Sequence, residues 1–387
     1  MERYYYIQQI NFSFEVTPVV AILGPRQCGK TTLARFYADL NKTDTNELNY
    51  FDLEKQSDVM RLQDPEFTLG KCKGLVIIDE IQRKPELFNH LRVLVDSLKS
   101  NARFLILGSA SRHLIQHSSD SLAGRISYIE LTPFSLFETL SSKALFSRGG
   151  YPRAYLAKND KIAFSWLQNY IRTYLEQDIP NLGIRILPDS LKRFWIMLSH
   201  YHGNIFNASE LGRSLSLSYH TTQNYLEILS QTFMIRVLTP WYENIKKRQI
   251  KSPKIYFRDT GILFCLLGAE SLKAQLLHPK LGAAWEGFAL EQVILALHAD
   301  PENCFFWSTH ADAEIDLIIF HNTKRLGFEF KYGSAVKVTR SMKIAIETLS
   351  LDRIYIIHAG ENKYPLAEKI DAIPLMSFCA NILEYAN

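Results

Sequence analysis

An α/β fold built on a parallel sheet is what this sequence predicts, and three observations carry the prediction. Continuously apolar, β-rich runs, TPVVAIL (17–23), LVIID (75–79) and FLILGSAS (104–111), read as strands buried on both faces. The first run breaks at Gly24, and after a short loop Leu33, Phe36, Tyr37 and Leu40 recur at helical spacing, giving strand, glycine loop, helix. NYFD (49–52) and ISYIEL (126–131) complete five strands alternating with helical segments. Such alternation predicts a three-layer sheet with its ligand at the C-terminal ends of the strands.

Length and composition set the outer bounds. A chain of 387 residues exceeds what one core covers, so two or three domains are expected. With 47% hydrophobic and 22% charged residues it is globular, and a net charge of +4 is too small over this length to argue for nucleic acid or membrane. Any basic surface must be local. Cys28, Cys72, Cys265, Cys304 and Cys379 show no CxxC or Cys/His ligand spacing, which points to free thiols in a reduced cytosol. No apolar run approaches the ~20 residues that span a bilayer, and MERYYYIQQI lacks the apolar core of a signal peptide. A soluble, cytoplasmic protein with no membrane partner is expected.

The stretch LGPRQCGKTTLARFYADL (23–40) places two glycines, a lysine and a threonine at the GxxxxGK[ST] spacing. Backbone N–H groups of the loop and the helix N-terminus would hold phosphate oxygens. Lys30 would reach the outer phosphates, Thr31 would ligate Mg²⁺, and Gly24 and Gly29 keep side chains out of the way. The strand LVIID ends in two carboxylates, of which Asp79 suits the Mg²⁺ shell and Glu80 a base orienting the attacking water. Ser109 is placed to sense a γ-phosphate, although serine after a strand is also an ordinary turn former. Water activation favours ATP hydrolysis over a small-molecule kinase. NKTD (41–44) spells a guanine-reading pattern but ends the loop's own helix instead of a later strand, and reads as coincidence. Arg125 in SLAGR and Arg112 are candidates to stabilise transition-state charge, against a plain solvated arginine.

GGYP (149–152) marks a boundary, after which 153–200 are helical and aromatic, as a lid or connector would be. In ASELGRSLSLSYHTTQNYLEIL (208–229), Ala208, Leu211 and Leu215 form one short apolar face and Thr222, Tyr225, Leu226 and Leu229 a second, with SLSYHT as the turn. That is a helix-turn-helix arrangement. FMIRVL (233–238) and KIYF (254–257) would pair as a wing, carrying Lys246, Lys247, Arg248 and Lys251 between them. Two readings stay open for that wing: phosphate contact on DNA, or a protein-binding module with a solvated loop.

In the last third, a helix from about Gly282 to Leu297 precedes EIDLIIF (314–320) and RLGFEFKY (325–332). A hairpin turning at Asn322 and Thr323 pairs Ile315 with Phe330, Leu317 with Phe328 and Ile319 with Leu326, burying one face. The other face carries Asp316 opposite Glu329, with Lys331 two residues on and Glu286 on the preceding helix. Two such carboxylates suit a shared divalent cation, with the lysine stabilising hydroxide or developing phosphorane charge; equally, the group suits a solvated salt-bridged patch.

Taken in order, GPRQCGKTTLAR, IIDEIQ, GSAS, SLAGR, GGYP, the helix-turn-helix, SPKIYFRDTG, and WEGFALEQ with EIDLII and FEFKY resemble a family of prokaryotic AAA-type ATPases with Walker A and Walker B segments. Its members carry a C-terminal domain of unknown function similar to a winged helix joined to a restriction-endonuclease-like, PD-(D/E)xK, fold. The resemblance covers nearly the whole chain. It implies ATP and Mg²⁺ bound through Gly24, Pro25, Arg26, Gln27, Cys28, Gly29, Lys30, Thr31 and Thr32, hydrolysis assisted by Asp79 and Glu80, and a nuclease-like site at Glu286, Asp316, Glu329 and Lys331. WST (307–309) departs from the family's usual WRT, since Ser308 removes a charge beside that site.

The expected architecture is therefore α/β: a P-loop NTPase parallel sheet (1–145), a helical lid or connector (146–200), a winged helix (201–270) and a nuclease-like α/β domain (271–387). The leading expectation is an ATP-dependent switch acting on nucleic acid, with metal-dependent cleavage at the C-terminal site left open. Its rival is a nucleotide-regulated protein-interaction module with an inactive nuclease-like fold. The sequence leaves an oligomer or a protein partner open.

Overall fold

A computed structural model describes residues 2–41, 49–97, 102–110, 122–139, 141–242, 250–309, 313–382 and 385. The chain forms two compact units, each assembled from separated segments: residues 1–133, 173–186 and 231–233 in the first, and 134–172, 187–230 and 234–387 in the second. The four consecutive blocks expected from the sequence are thus not the compact units. Part of the expected connector joins the first unit, and the remainder shares one unit with the C-terminal sheet.

The first unit holds the five expected strands: β1 (Val19–Leu23), β2 (Asn49–Asp52), β3 (Gly74–Asp79), β4 (Ala102–Gly108) and β5 (Ile126–Glu130). All pair in parallel, in the order β2-β3-β4-β1-β5. Alternate residues supply two cores. Val19, Ala21, Ile78, Phe104 and Ile106 fill one face, while Val20, Ile22, Ile77, Leu105 and Leu107 fill the other. Burial on both faces is why these strands read as unbroken apolar runs, and each fully buried Val, Leu, Ile or Phe contributes about 1.5–3 kcal/mol.

Two helices matter for the site. Helix α1 (Tyr4–Val16), in a stretch the sequence reading assigned no fold role, buries Tyr6, Ile7, Ile10 and Phe14 in the second of these cores. Helix α2 (Lys30–Leu40) leaves the C-terminal end of β1 and buries Leu33, Ala34, Tyr37 and Ala38 in the same core. The later segments close the unit. Phe233 lies in the first core, and the hydroxyls of Tyr174 and Thr232 share a 2.6 Å hydrogen bond.

The second unit contains two sheets. The expected helices are α3 (Ala208–Leu215) and α4 (Tyr219–Gln231). Strands β7 (Ile235–Leu238) and β8 (Lys254–Phe257) pair antiparallel as expected, and β6 (Asn204–Ile205) adds to the free edge of β8, giving the order β6-β8-β7. Helix α5 (Leu281–Ala296) packs on the larger sheet. That sheet runs β13-β14-β12-β11-β10-β9 and comprises β9 (Cys304–Ser308), β10 (Glu314–His321), β11 (Lys324–Lys331), β12 (Arg353–His358), β13 (Tyr364–Ala367) and β14 (Ile370–Pro374).

The β10–β11 hairpin turns where expected, Asn322 and Thr323 both taking positive φ, and pairs Leu317 with Phe328 and Ile319 with Leu326. Beyond Leu317 the backbone ladder gives way to a side chain, because the Phe330 N–H donates to Asp316 Oδ2 at 3.1 Å. Both faces of this hairpin are covered over its middle, although Lys331 at the end of β11 is exposed. Ile315, Asp316, Ile318 and Phe328 are all buried, with helix α6 (Arg340–Leu349) packing on β10.

Candidate functional site

At the end of β1 the chain turns into a loop that only glycine can begin, since a Cβ on Gly24 would lie 2.1 Å from the Leu131 carbonyl oxygen. Gly29 takes φ of +104°, a region that favours glycine, and no atom lies within 4 Å of where its Cβ would be. Lys30 folds back over the loop and donates to the carbonyls of Gly24 (2.8 Å) and Pro25 (2.9 Å). Buried Arg3 braces the same loop, donating to the Cys28 carbonyl at 3.1 Å and the Thr132 carbonyl at 2.9 Å. Gln27 and Thr32 are exposed. The Cys28 side chain is fully buried in the core and burial pushes its thiol pKa up, so its contribution to the loop's surface is its backbone.

The two carboxylates of β3 meet this loop in different ways. Asp79 Oδ2 accepts from Thr31 Oγ1 (2.7 Å) and from the Tyr50 hydroxyl (2.6 Å), while Oδ1 accepts the Glu80 N–H at 2.9 Å. Burial raises the Asp79 pKa, opposed by the hydrogen bonds from Tyr50 and Thr31 that favour the anion. Glu80 sits at φ 58°, rare for a residue with a side chain, and so leaves the strand direction. Its carboxylate is held by Gln82 and, at 3.3 Å, by the Ser109 hydroxyl, and Gln82 also donates to Ser109 Oγ at 2.8 Å. The structure thus brings together Lys30, Thr31, Asp79, Glu80 and Ser109. Arg26 leaves the loop to pair with Asp178 in the π-helical turn Tyr174–Asp178, and with Glu54 at 2.6 Å.

Arg125 is a correction. Its carbonyl accepts from the N–H of Val19, at the opposite end of β1 from Gly24, about 15 Å away along a five-residue strand. Its guanidinium is paired with both oxygens of Asp96, at 2.6 and 3.0 Å. It does not reach the phosphate loop of its own chain. Arg112, most of NKTD, and Lys246, Lys247 and Arg248 lie outside the described residues; Lys251 is described and exposed.

A second cluster of carboxylates lies in the other unit. Asp316 on β10 and Glu286 on α5 meet around a residue the sequence reading gave no role, while Glu329 on β11 lies near both carboxylates but pairs with Lys331. Lys254, only 5% exposed, extends from β8 and places its ammonium 3.5 Å from Asp316 Oδ1 and 3.6 Å from Glu286 Oε1, in an ion pair with Glu314 as well. Burial alone would lower its pKa, but the surrounding Tyr256, Asp316, Glu286 and Glu314 drive it well above the usual lysine range. Tyr256, two residues on, donates to Glu286 Oε1 at 2.7 Å. Lys331 donates to Glu329 Oε1 at 2.7 Å, leaving Glu329 Oε2 buried without a partner. Burial, reinforced by the Asp316 charge, holds the carboxyls of both Glu286 and Glu329 well above their ordinary pKa. Among the described residues no group of three or more His, Cys, Asp or Glu side chains is arranged to hold a metal ion.

A family profile described as an AAA domain matches residues 16–140. Two domains of unknown function, DUF8612 and DUF4143, match 141–273 and 281–378. Uncharacterized proteins of Mycobacterium bovis (Mb2031c) and Mycobacterium tuberculosis (Rv2008c) are each 45% identical over 359 residues, which is 92% of this chain and 80% of theirs. The chain belongs to one family with these proteins, and its residues 16–140 carry an AAA domain. Among solved structures, the Walker-type ATPase PABY2304 of Pyrococcus abyssi is 15% identical, with a TM-score of 0.46 over 68% of this chain and 95% of that one. No helix among the described residues is long and apolar enough to cross a membrane.

Several residues that shape the AAA-type site had no signal of their own in the sequence. Tyr50 is contributed by the neighbouring strand β2, Gln82 by the 3-10 turn that follows β3, and Asp178 by a segment far along the chain. Lys254 and Tyr256 lie in SPKIYFRDTG, a stretch the family resemblance quotes without a role.

Proposed function

We propose that this chain is an ATP-hydrolysing switch whose second unit is a partner-binding module. The observation that carries the first half is the hydrogen bond between Thr31 and Asp79, which puts the loop hydroxyl and the strand-end carboxylate on one spot, with Glu80 held beside Ser109. These residues fit MgATP. The loop N–H groups from Gly24 to Thr32 would hold phosphate oxygens, Lys30 would exchange its two carbonyl partners for the outer phosphates, and Thr31 and Asp79 would hold the cation. Mg²⁺ held there would supply charge neutralisation for the phosphates. Glu80 orients the attacking water and takes its proton, while Ser109 and Gln82 fix the carboxylate's direction. Arg26, tied to Asp178, links the loop to the π-helical turn and makes that turn a candidate to respond to nucleotide.

For the second unit, Lys254 among the carboxylates favours the module reading over metal-dependent cleavage, and nucleic acid becomes one partner class among others. Two substitutions test the switch. Lys30→Ala should abolish ATP binding, whereas Glu80→Gln should keep binding and slow hydrolysis by about 10²–10⁴-fold, since only water activation is lost. Equal hydrolysis by Glu80→Gln and the parent would sink the assignment. Labelled DNA incubated with ATP and Mg²⁺ or Mn²⁺ should stay intact; cutting that Asp316→Asn abolishes would restore the nuclease reading.

A further inference from the structure

The carboxylate cluster of the second unit has the residue types of a divalent-metal site and yet is supplied with its own cation. Glu286, Glu314 and Asp316 each present an oxygen to the buried ammonium of Lys254 within ion-pair distance. Several carboxylate oxygens of the cluster carry further hydrogen bonds. Asp316 Oδ2 takes the Phe330 amide, Glu286 Oε1 also takes the Tyr256 hydroxyl, and Glu329 Oε1 takes Lys331. Lys254 cannot easily swing out, because β8 is the middle strand of its sheet and the residue is paired on both sides, with Ile205 and Leu238. A divalent cation such as Mg²⁺ or Mn²⁺ wants about six oxygen ligands at roughly 2.0–2.6 Å. Here one carboxylate oxygen, Glu329 Oε2, lies buried without a partner, and a fixed positive charge stands where the cation would go.

We propose that Lys254 is a tethered counter-ion that takes the place of the divalent metal, so that ammonium and metal are mutually exclusive occupants of the Glu286–Asp316 position. The cluster then works as an electrostatic latch between the β6-β8-β7 sheet and the β10–β11 hairpin. A second latch lies on the same helix, where Glu291 of α5 pairs with Arg236 of β7 (3.0 Å to Oε2) and with Arg258 just past β8 (3.4 Å). This deepens the module reading of the second unit and is independent of ATP turnover, so it can fail while the ATPase assignment stands, and the reverse.

The test uses the full chain without nucleotide and counts bound Mn²⁺ by paramagnetic resonance of the free ion, always comparing each protein with the same protein carrying Asp316→Asn. Differencing in this way cancels any Mn²⁺ held near Thr31 and Asp79. The parent and its Asp316→Asn partner should bind Mn²⁺ alike. Lys254→Met, which keeps the stem and removes the charge, should gain about one Mn²⁺ per chain, at least about ten-fold tighter than the parent. Adding Asp316→Asn should remove the gain, and Mn²⁺ should raise the melting temperature of Lys254→Met but not of the parent. A parent that binds Mn²⁺ through Asp316 overturns the proposal, as does a folded Lys254→Met that gains none. If Lys254→Met does not fold, Lys254→Gln replaces it, and the parent pair decides in any case.

Discussion

Asp79 and Asp316 are both buried aspartates on interior strands, one of a parallel and one of a mixed sheet, and the chain compensates their charge in opposite ways. Around Asp79 the partners are neutral: two hydroxyls and one amide, with the nearest lysine bonded to loop carbonyls instead. Hydrogen bonds of that kind stabilise the anion without cancelling it, and so leave a negative centre able to attract a cation. Around Asp316 the partner is a full positive charge held on a strand. Desolvating a carboxylate costs several kcal/mol per ion, and a fixed ammonium repays this from within the fold. Carboxylate spacing alone therefore does not distinguish a cation-binding centre from an internal ion cluster; the identity of the third group does.

The comparison can be broken most forcefully at the second ion cluster. Glu291→Gln removes a carboxylate charge facing both Arg236 and Arg258, which are 9% and 12% exposed, and should cost about 3–5 kcal/mol. All five tryptophans, at 166, 195, 241, 285 and 307, fall in the second unit, so urea unfolding followed by tryptophan fluorescence reads this loss directly. A loss below about 1 kcal/mol would mean that the cluster is solvated in solution and contributes like a surface pair.

Acid should sharpen the comparison by a smaller amount. His202 is fully buried, its Nε2–H donating to the Ala283 carbonyl at 3.0 Å and its Nδ1 accepting the Phe257 N–H at 2.9 Å. Burial lowers its pKa from 6.5 to about 3. The unfolded chain thus binds a proton that the folded one refuses, so the stability is fully present above pH 6.5 and is lost as pH falls towards about 3. The slope approaches about 1.4 kcal/mol per pH unit for this one group. Tryptophan-detected unfolding at pH 7 and pH 5 should show that loss in the parent and a flatter response in His202→Gln; parallel profiles would reject the role.

The smallest effect is expected at Arg125. Its partner is Asp96 and it sits at the far end of β1, so Arg125→Ala should leave the ATP hydrolysis rate of the chain unchanged. A large fall in hydrolysis that depends on protein concentration would instead show Arg125 acting on a neighbouring copy.

What could be read in advance follows the same physics. The five strands of the first unit, the loop between Gly24 and Lys30 and the carboxylates of β3 were legible because sheet burial on two faces and phosphate-loop geometry each impose a local pattern. The hairpin register was legible from the turn to Leu317 and Phe328, but the expected pairing of Ile315 with Phe330 was not met, because a register shift between Ile315 and Ile318 turns Ile315 into the same core as Ile318. Lys254 was not, since in NIKKRQIKSPK it is one more cation in a basic run, and only its place on the middle strand of β6-β8-β7 separates it from exposed Lys251. Arg125 misled for the converse reason: a motif names a residue without saying at which end of a strand it stands. The helix α1 was missed because its apolar face is spread among tyrosines and glutamines, a composition that predicts little by itself.

The segmental construction of the first unit sets an order on biosynthesis. Its sheet is complete once Pro133 has been made, but Phe233, which lies in its core, and Thr232, which bonds Tyr174, arrive 100 residues later (233 − 133). At translation rates of about 5–20 residues per second that interval lasts about 5–20 s. During it the nascent first unit presents an unfilled apolar site while the opening of the second unit, from Phe134 onward, is already emerging. The two units therefore cannot mature one after the other as beads on a string, and the interval is one in which a ribosome-associated chaperone has a defined surface to cover.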